Sequence, residues 1–253
     1  MALKLGPWSG RKYFLDKMTL RDLVGAYFTH HAIMAYLVLA IGCLVYLVLN
    51  PSNYWGPALA AVLVLPIYPL AWYLLHRFVL HGRWLYRMPQ TAALWKRIHF
   101  DHHQDPNDLG VLFGALYTTL PTILIVTIPL GWAIAGPSGA VAAVASGLLT
   151  TCFYEFCHCI QHLPFQPRWN WLKRMKKLHL AHHFHNEQGN YGITNFTFDR
   201  LLGTYYSHPR ETPRSSTVFN LGYTGEEASR YPWVAELSDE NQQPGAMRPA
   251  RNR

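Results

Sequence analysis

The sequence predicts an all-α membrane protein in which four transmembrane helices form two hairpins, joined to a cytoplasmic helical cap. Charged residues make up only 14% of the 253 residues, against about 25% in soluble domains. Two stretches, 32–76 and 109–154, contain no Asp, Glu, Lys or Arg. Each is roughly twice the ~20 residues that cross a bilayer as one helix, so each predicts a helical hairpin.

The turn inside each stretch is marked by residues that interrupt helices. It reads NPSNYWGP at 50–57 and GWAIAGPSG at 131–139, and both segments are rich in Gly, Pro, Ser or Asn. The predicted spans lie near 32–49, 57–75, 110–130 and 138–157. A buried helical core in a soluble protein is the alternative, but four such segments would leave a chain of this size too little polar surface.

Basic residues predict the orientation of the chain. They are absent from both hairpin turns and abundant before the first span, between the second and third spans, and after the fourth. The positive-inside rule therefore places both termini and the middle segment in the cytoplasm. We expect a bacterial inner membrane rather than the endoplasmic reticulum. The net charge of +8 is expected to attract anionic headgroups, and no nucleic-acid partner is expected.

The chain is predicted to divide into three segments. Residues 1–31 form an interfacial N-terminal segment on the cytoplasmic side, and residues 32–205 form the transmembrane helices and the cap. Residues 206–253 form a cytoplasmic tail that is polar and contains scattered Pro. From about residue 236 the composition predicts disorder, because too few apolar side chains remain to form a core.

Ten of the 14 histidines fall into four groups, two pairs and two triplets. The pairs stand in HRFVLH and HCIQH, and the triplets in HFDHH and HLAHH. The ten are His76, His81, His99, His102, His103, His158, His162, His179, His182 and His183. Positions i, i+3 and i+4 share a helix face, so each triplet is expected to direct its three imidazoles the same way.

The first pair is the exception to this periodicity. His76 and His81 are five residues apart and do not align on a regular α-helix. They either serve different ions or lie where the helix loosens as the second span ends. Ten imidazoles exceed what one first-row metal accepts, so two ions are expected, and imidazole suits Zn, Cu, Fe and Ni.

The apolar setting narrows the chemistry. A site at the end of apolar helices is reached most easily by a lipid chain or another apolar molecule. Activating an unreactive C–H bond requires dioxygen and a redox-active metal, which favours iron, whereas zinc would suit hydrolysis. A metal transporter is disfavoured, because its ligands should lie near mid-membrane along a polar path.

The four groups in this order, followed by YGITNFTFDRLLGT at 191–204, resemble the fatty acid hydroxylase superfamily of integral-membrane dimetal oxygenases. The resemblance covers roughly residues 60–205, and within the superfamily the pattern is most similar to the fatty acid 2-hydroxylase branch. It implies that the ten histidines bind two metal ions. Iron is the expected metal, with zinc an alternative in purified protein, and dioxygen is the implied co-substrate.

The resemblance also implies a reaction. A C–H bond in a membrane lipid or fatty acyl chain is hydroxylated with two electrons from a separate redox carrier. Residues 1–31 are too short for the haem-binding domain of the eukaryotic 2-hydroxylases, so an external ferredoxin or cytochrome-type protein is expected to supply the electrons. The alternatives are a carotenoid or sterol hydroxylase or desaturase of the same superfamily, and a zinc-dependent membrane hydrolase.

Three acidic residues stand close to the histidine groups in the sequence. They are Asp101, Glu155 and Asp199. Metal-bound imidazoles usually donate their second N–H to a carboxylate or a carbonyl, so these three are expected to support the ligands rather than bind metal. His185 lies two residues after the last triplet and is expected to face away from it.

Overall fold

The computed structural model describes residues 12–51 and 53–238, and the described chain is mostly helical. The α-helices are α1 Leu20–Phe28, α2 His31–Leu49, α3 Trp55–Leu74, α4 Pro89–Trp95, α5 Asp101–Gln104, α6 Leu109–Leu112, α7 Leu116–His162, α8 Asn170–Phe184, α9 Thr197–Leu201, α10 Gly225–Arg230 and α11 Trp233–Glu236. π-helical turns at Leu75–Leu80 and Lys96–Phe100 follow α3 and α4, and 3-10 turns occupy Leu15–Lys17 and Pro209–Glu211. No β-strand occurs among these residues.

Three helical segments in the described ranges are long and apolar enough to cross a membrane. They are His31–Leu49, Trp55–Leu80 and Leu109–His162. The prediction of a helical membrane protein is confirmed at this level. A fourth separate span and the cytoplasmic side of the cap stay predictions.

The third apolar segment contains a break within α7. Ala135 and Gly136 leave the helical conformation, and Gly136 has φ 58° and ψ −145°, a region that Gly adopts readily. The break falls inside GWAIAGPSG, where the sequence predicts a hairpin turn. An added Cβ at Gly131 would overlap the carbonyl oxygen of Gly139. The two halves of α7 therefore fold back with their backbones in close contact.

Gly131→Ala is expected to destabilise this hairpin, because the new methyl group would push the two backbones apart. Overpacking of this kind costs roughly 1–3 kcal/mol. The midpoint of thermal unfolding in detergent should fall by several degrees. Gly42→Ala is the matched control, since an added Cβ at Gly42 meets no atom within 4 Å. Equal midpoints for the two variants would contradict the close backbone approach.

The described chain forms two compact units. The first lies within residues 1–72 and 113–165, and the second within residues 73–112 and 166–253. This division differs from the three predicted segments, because each unit combines residues that are distant in the sequence. In the first unit, α2 packs against α7, and Ser146 Oγ on α7 donates to the carbonyl of Ala61 on α3 at 2.7 Å. The apolar helices therefore pack side by side with polar cross-links.

The core of the second unit is aromatic. Trp95 is fully buried and packs with Tyr86, Phe100 and Tyr223. Val234 of α11 is buried in the same core. Residues 221–234 of the predicted polar tail are thus part of a packed structure. The predicted disorder falls mostly on residues 239–253, which lie outside the described residues.

Candidate metal centre

One cluster of five histidines lies within the second unit. Its members are His76, His81, His99, His103 and His182, and one nitrogen of each lies within 4.8 Å of the others. The Nε2 atoms of His76, His81 and His99 form a triangle with sides of 2.9, 3.1 and 3.2 Å. With nitrogen–metal bonds of about 2.1 Å, two ligands lie about 3.0 Å apart at a right angle and about 3.4 Å apart at the tetrahedral angle. The triangle therefore fits a shared ion.

The π-helical turn after α3 explains how the first histidine pair joins this cluster. The backbone N–H of His81 donates to the carbonyl of His76 at 3.0 Å, a bond between residues five apart. This wider turn brings positions i and i+5 to one side of the helix. Of the two sequence-based alternatives, the loosened helix is the one observed, and both histidines belong to one cluster.

The first triplet divides between two clusters. His99 and His103, at i and i+4, belong to the first cluster, whereas His102 stands with two histidines of α8. Residues i+3 and i+4 point about 100° apart around a helix axis. The prediction that all three imidazoles of a triplet point the same way is therefore wrong.

The second triplet is divided between the clusters in the opposite way. His182 belongs to the first cluster, whereas His179 and His183 lie beside His102. These three histidines are called the second cluster. The ring of His183 lies 4.5 Å from the ring of His102 and 4.5 Å from that of His179, centroid to centroid. Within the second unit, each triplet gives its i and i+4 members to one cluster and its middle member to the other.

The remaining pair lies in the first unit. His158 and His162 occupy the last turns of α7 at i and i+4, both are buried, and their ring centroids are 5.5 Å apart. Their nitrogen atoms approach within 4.8 Å of each other. This spacing suits two ligands of one ion.

Backbone carbonyls orient three imidazoles of the first cluster. In each case Nδ1 of the histidine pairs with a main-chain oxygen: His76 with Tyr191 at 2.6 Å, His182 with Gly189 at 2.8 Å, and His103 with Val218 at 2.9 Å. A carbonyl only accepts, so Nδ1 carries the proton and Nε2 keeps its lone pair. Among the described residues, the buried Nε2 of His182 has no hydrogen-bond partner. These residues fit a bound metal, which would use the Nε2 lone pairs.

The protonation of the cluster supports the same conclusion. Burial, followed by the neighbouring imidazoles, holds the pKa of His81 and of His99 well below its usual range. Burial lowers the pKa of His182 to about 4. These three imidazoles are therefore neutral near pH 7, which is the form that binds metal.

Asp199 supports the ligands through the backbone. Its buried carboxylate accepts hydrogen bonds from the N–H groups of Tyr191 and Gly192 at 2.7 and 2.8 Å, and from Thr204 Oγ1 at 2.9 Å. Burial raises the pKa of Asp199, and these hydrogen bonds oppose the rise. Since the Tyr191 carbonyl accepts from His76, Asp199 holds the segment that orients this ligand.

Asp199→Asn is expected to weaken metal binding while the protein stays folded. The amide would turn one N–H group toward backbone donors, so residues 191–192 would shift and the carbonyl partner of His76 would move. Changes to groups that orient ligands typically cost roughly 10–100-fold in metal affinity. Metal content of purified protein during a chelator titration measures the loss. Asp108→Asn is the control, because the Asp108 carboxylate lies outside both clusters and accepts from the N–H of Gly110 at 2.8 Å. Identical chelator curves for the two variants would contradict the role of Asp199.

The other two acidic candidates have different partners. Asp101 pairs with Lys96 Nζ at 2.6 Å, and Glu155 Oε1 on α7 accepts from the N–H of Gly114 at 3.4 Å. Their support of metal ligands stays a prediction. His185 lies outside both clusters, and its Nε2 pairs with the carbonyl of Thr212 at 2.9 Å. This contact agrees with the prediction that His185 faces away.

One supporting residue was not predicted. The buried carboxylate of Glu187 accepts from Ser215 Oγ at 2.9 Å and from Thr217 Oγ1 at 2.6 Å. Glu187 thereby holds the segment that leads to Val218, whose carbonyl orients His103. The partners are 28 and 30 residues away in the sequence, so no local pattern could have revealed them.

The fold and the clusters define a helical membrane protein with a histidine-rich candidate metal centre. Comparison with protein families adds the class: the family described as fatty acid hydroxylase matches residues 60–204. This is more than half of the chain, and it includes all ten histidines. The chain belongs to the fatty acid hydroxylase family, as its histidine pattern predicts.

Individual relatives agree with this assignment. The chain is 32% identical over 146 residues to a ceramide very long chain fatty acid hydroxylase of Saccharomyces cerevisiae. This match covers 55% of this chain and 36% of the relative. It is 32% identical over 138 residues to a dihydroceramide fatty acyl 2-hydroxylase of Arabidopsis thaliana, covering 52% and 54% respectively. The chain thus matches only about a third to a half of the length of these relatives.

A solved structure shows the same fold. It is that of full-length scs7p, in which only the hydroxylase domain is visible. The TM-score is 0.60 at 29% identity, and the match covers 75% of this chain and 69% of the other.

Proposed function

We propose that the chain is a membrane-bound dimetal monooxygenase that hydroxylates a C–H bond of a fatty acyl chain in a membrane lipid. The observation that carries the proposal is the first cluster, in which five imidazoles of one unit gather their ligand nitrogens within 4.8 Å. The relatives named above act on fatty acids or fatty acyl groups. Their names favour an acyl chain over a carotenoid or sterol, and carbon 2 as the position attacked.

Each cluster would hold one ion. The first ion would be bound by the five histidines of the first cluster, and the second by His102, His179 and His183. Three imidazoles leave coordination positions open, and the family resemblance supports His158 and His162 as the ligands that fill them. Imidazole ligands accept both iron and zinc, and we propose iron because the expected reaction is an oxidation.

Bound iron would supply the redox capacity to use dioxygen on an unreactive C–H bond. The balance of the reaction is one C–H bond, one dioxygen, two electrons and two protons, giving one C–OH group and one water. The two electrons are proposed to come from an external carrier of the ferredoxin or cytochrome type. Zinc in the same ligands would favour hydrolysis, which needs neither dioxygen nor electrons.

The chain's own contribution is to fix and shield the ligands. The carbonyls of Tyr191, Gly189 and Val218 hold three rings in one tautomer, so their lone pairs are ready before a metal arrives. Four of the five imidazoles in the first cluster are buried, which keeps bulk water from them. Neutral ligands also add no negative charge, so they would not offset the positive charge of a bound ion.

The membrane arrangement completes the proposal. We propose four spans, with the break at Ala135 and Gly136 dividing α7 into two of them, and with both termini in the cytoplasm. The basic residues that flank the spans support this orientation. The bacterial inner membrane stays a prediction from the sequence.

Expression of the chain in a host without such an enzyme tests the activity. Untargeted mass spectrometry of extracted lipids should find an acyl lipid that is one oxygen atom heavier. His102→Ala should remove this product. His208→Ala should keep it, because the exposed His208 lies outside both clusters and its Nδ1 accepts from the N–H of Arg210. An unchanged lipid profile with the wild-type chain and a suitable electron donor would refute the proposal, as would full product formation by His102→Ala.

A further inference from the structure

A small pocket on the second unit is separate from the histidine clusters. It has a volume of about 180 Å³ and opens between the first half of α8 and the loop that leads into α9. The lining residues that matter here are Trp171, Arg174, Thr194, Asn195, Thr197 and Arg200. No acidic side chain lines it. The volume is several times the ~30 Å³ that one water occupies, so the pocket can admit a phosphodiester group.

Two arginines that line this pocket contact the same tyrosine. Arg174 Nη2 donates to the hydroxyl of Tyr205 at 3.0 Å. The guanidinium carbons of Arg174 and Arg200 lie 5.5 and 4.6 Å from the centroid of the same Tyr205 ring. Within the described part of the chain, neither arginine forms an ion pair with a carboxylate. Two neighbouring cations repel each other, and an anion with several oxygens would relieve that repulsion through paired hydrogen bonds.

Exposed apolar side chains adjoin the arginines in the sequence. Trp169 is 74% exposed and Leu201 is 71% exposed, and Trp171 and Leu202 are about half exposed. The indole N–H of Trp171 donates to the carbonyl of Thr194 at 3.2 Å, which fixes the ring at the edge of the pocket. Trp and Leu beside Arg are typical of segments that lie at the membrane–water interface. A surface that stays in water seldom exposes so many large apolar side chains together.

We propose that this pocket binds the phosphate group of an anionic phospholipid. Arg174 and Arg200 contact the phosphate oxygens, while Trp169 and Leu201 enter the headgroup region of the same leaflet. An acidic redox protein would also be attracted to these cations, but its binding would not explain why the apolar side chains beside them are exposed. The inference rests on the membrane location of the chain and does not depend on the reaction proposed above.

Binding of short-chain lipids to the purified full-length protein in neutral detergent tests this site. The probes are dihexanoyl phosphatidylglycerol, dihexanoyl phosphatidylcholine and inorganic phosphate, and calorimetry measures each affinity. Arg174→Gln with Arg200→Gln is the test variant. Arg210→Gln with Arg214→Gln is the matched control, because it removes the same charge from exposed arginines outside the pocket. Metal content of both variants reports that the histidine clusters remain folded.

We expect wild type and control to bind phosphatidylglycerol well above the other two probes. The test variant should bind it roughly 30-fold more weakly, since each arginine near anionic lipid contributes severalfold to the affinity. Equal weakening in both variants would overturn the pocket as a site. Inorganic phosphate binding as tightly as the lipid would assign the site to a soluble anion instead. Slower electron transfer from an acidic donor in the test variant, with lipid binding unchanged, would assign it to a protein partner.

Discussion

His182→Ala is expected to leave the purified protein with one metal ion per chain instead of two and to abolish acyl hydroxylation. His182 is fully buried on α8, and its ring is fixed by the Gly189 carbonyl. Its buried Nε2 has no hydrogen-bond partner among the described residues, so its lone pair is available to a metal ion. Loss of a group that only orients a ligand costs roughly 10–100-fold in affinity, and loss of the ligand itself should cost more.

Elemental analysis of purified protein measures this effect, with lipid product measured in parallel. The His208→Ala variant, altered at an exposed histidine, should keep both ions and the product. A thermal midpoint close to that of wild type in the presence of excess metal would show that the His182→Ala protein is folded. Two ions and normal product in the His182→Ala variant would mean that the first cluster does not hold metal.

Trp95→Ala is expected to produce the largest loss of stability. The side chain is fully buried among Tyr86, Phe100 and Tyr223, and its indole N–H donates to the carbonyl of Leu80 at 3.0 Å. Truncation of a buried aromatic ring typically costs about 3–5 kcal/mol. Leu80 ends the π-helical turn that brings His81 beside His76, so metal affinity should fall together with stability.

The midpoint of thermal unfolding in detergent, with and without added metal, measures both consequences. Trp95→Phe should recover part of the stability, because it restores the aromatic packing without the hydrogen bond. Trp132→Ala is the control of equal size, and it should change the midpoint little because Trp132 is exposed on α7. Equal losses at Trp95 and Trp132 would argue against a packed aromatic core in the second unit.

The parts of the fold that the sequence predicts are those carried by local composition. Apolar length marks the spans, and Gly and Pro mark the turn at residues 131–139, where Gly136 takes the positive φ. The ten histidines are recognisable because their spacing repeats within a few residues. Each of these signals lies within one continuous segment of the chain and can therefore be recognised without knowledge of the packing.

The features that the sequence left open or did not predict depend on contacts between distant residues. The sequence left two arrangements of His76 and His81 open, and no residue type marks the π-helical turn at Leu75–Leu80 that selects one of them. The division of each triplet depends on where the other helices place their histidines. The carbonyls of Tyr191 and Val218 each lie 115 residues from the imidazole that they orient. No local pattern in the polar tail marks Tyr223 as a core residue, because its burial depends on partners near residues 86–95.

Heavy-isotope dioxygen tests most directly whether the chain is an oxygenase. Cells expressing the wild-type chain, grown under labelled dioxygen in ordinary water, should form a hydroxylated acyl lipid that carries one labelled oxygen atom. The mass of the product and of its acyl fragment reports the label and the carbon that bears it. We predict full labelling from dioxygen and no product without it. A product that takes its oxygen from water, or that forms in the absence of dioxygen, would contradict it.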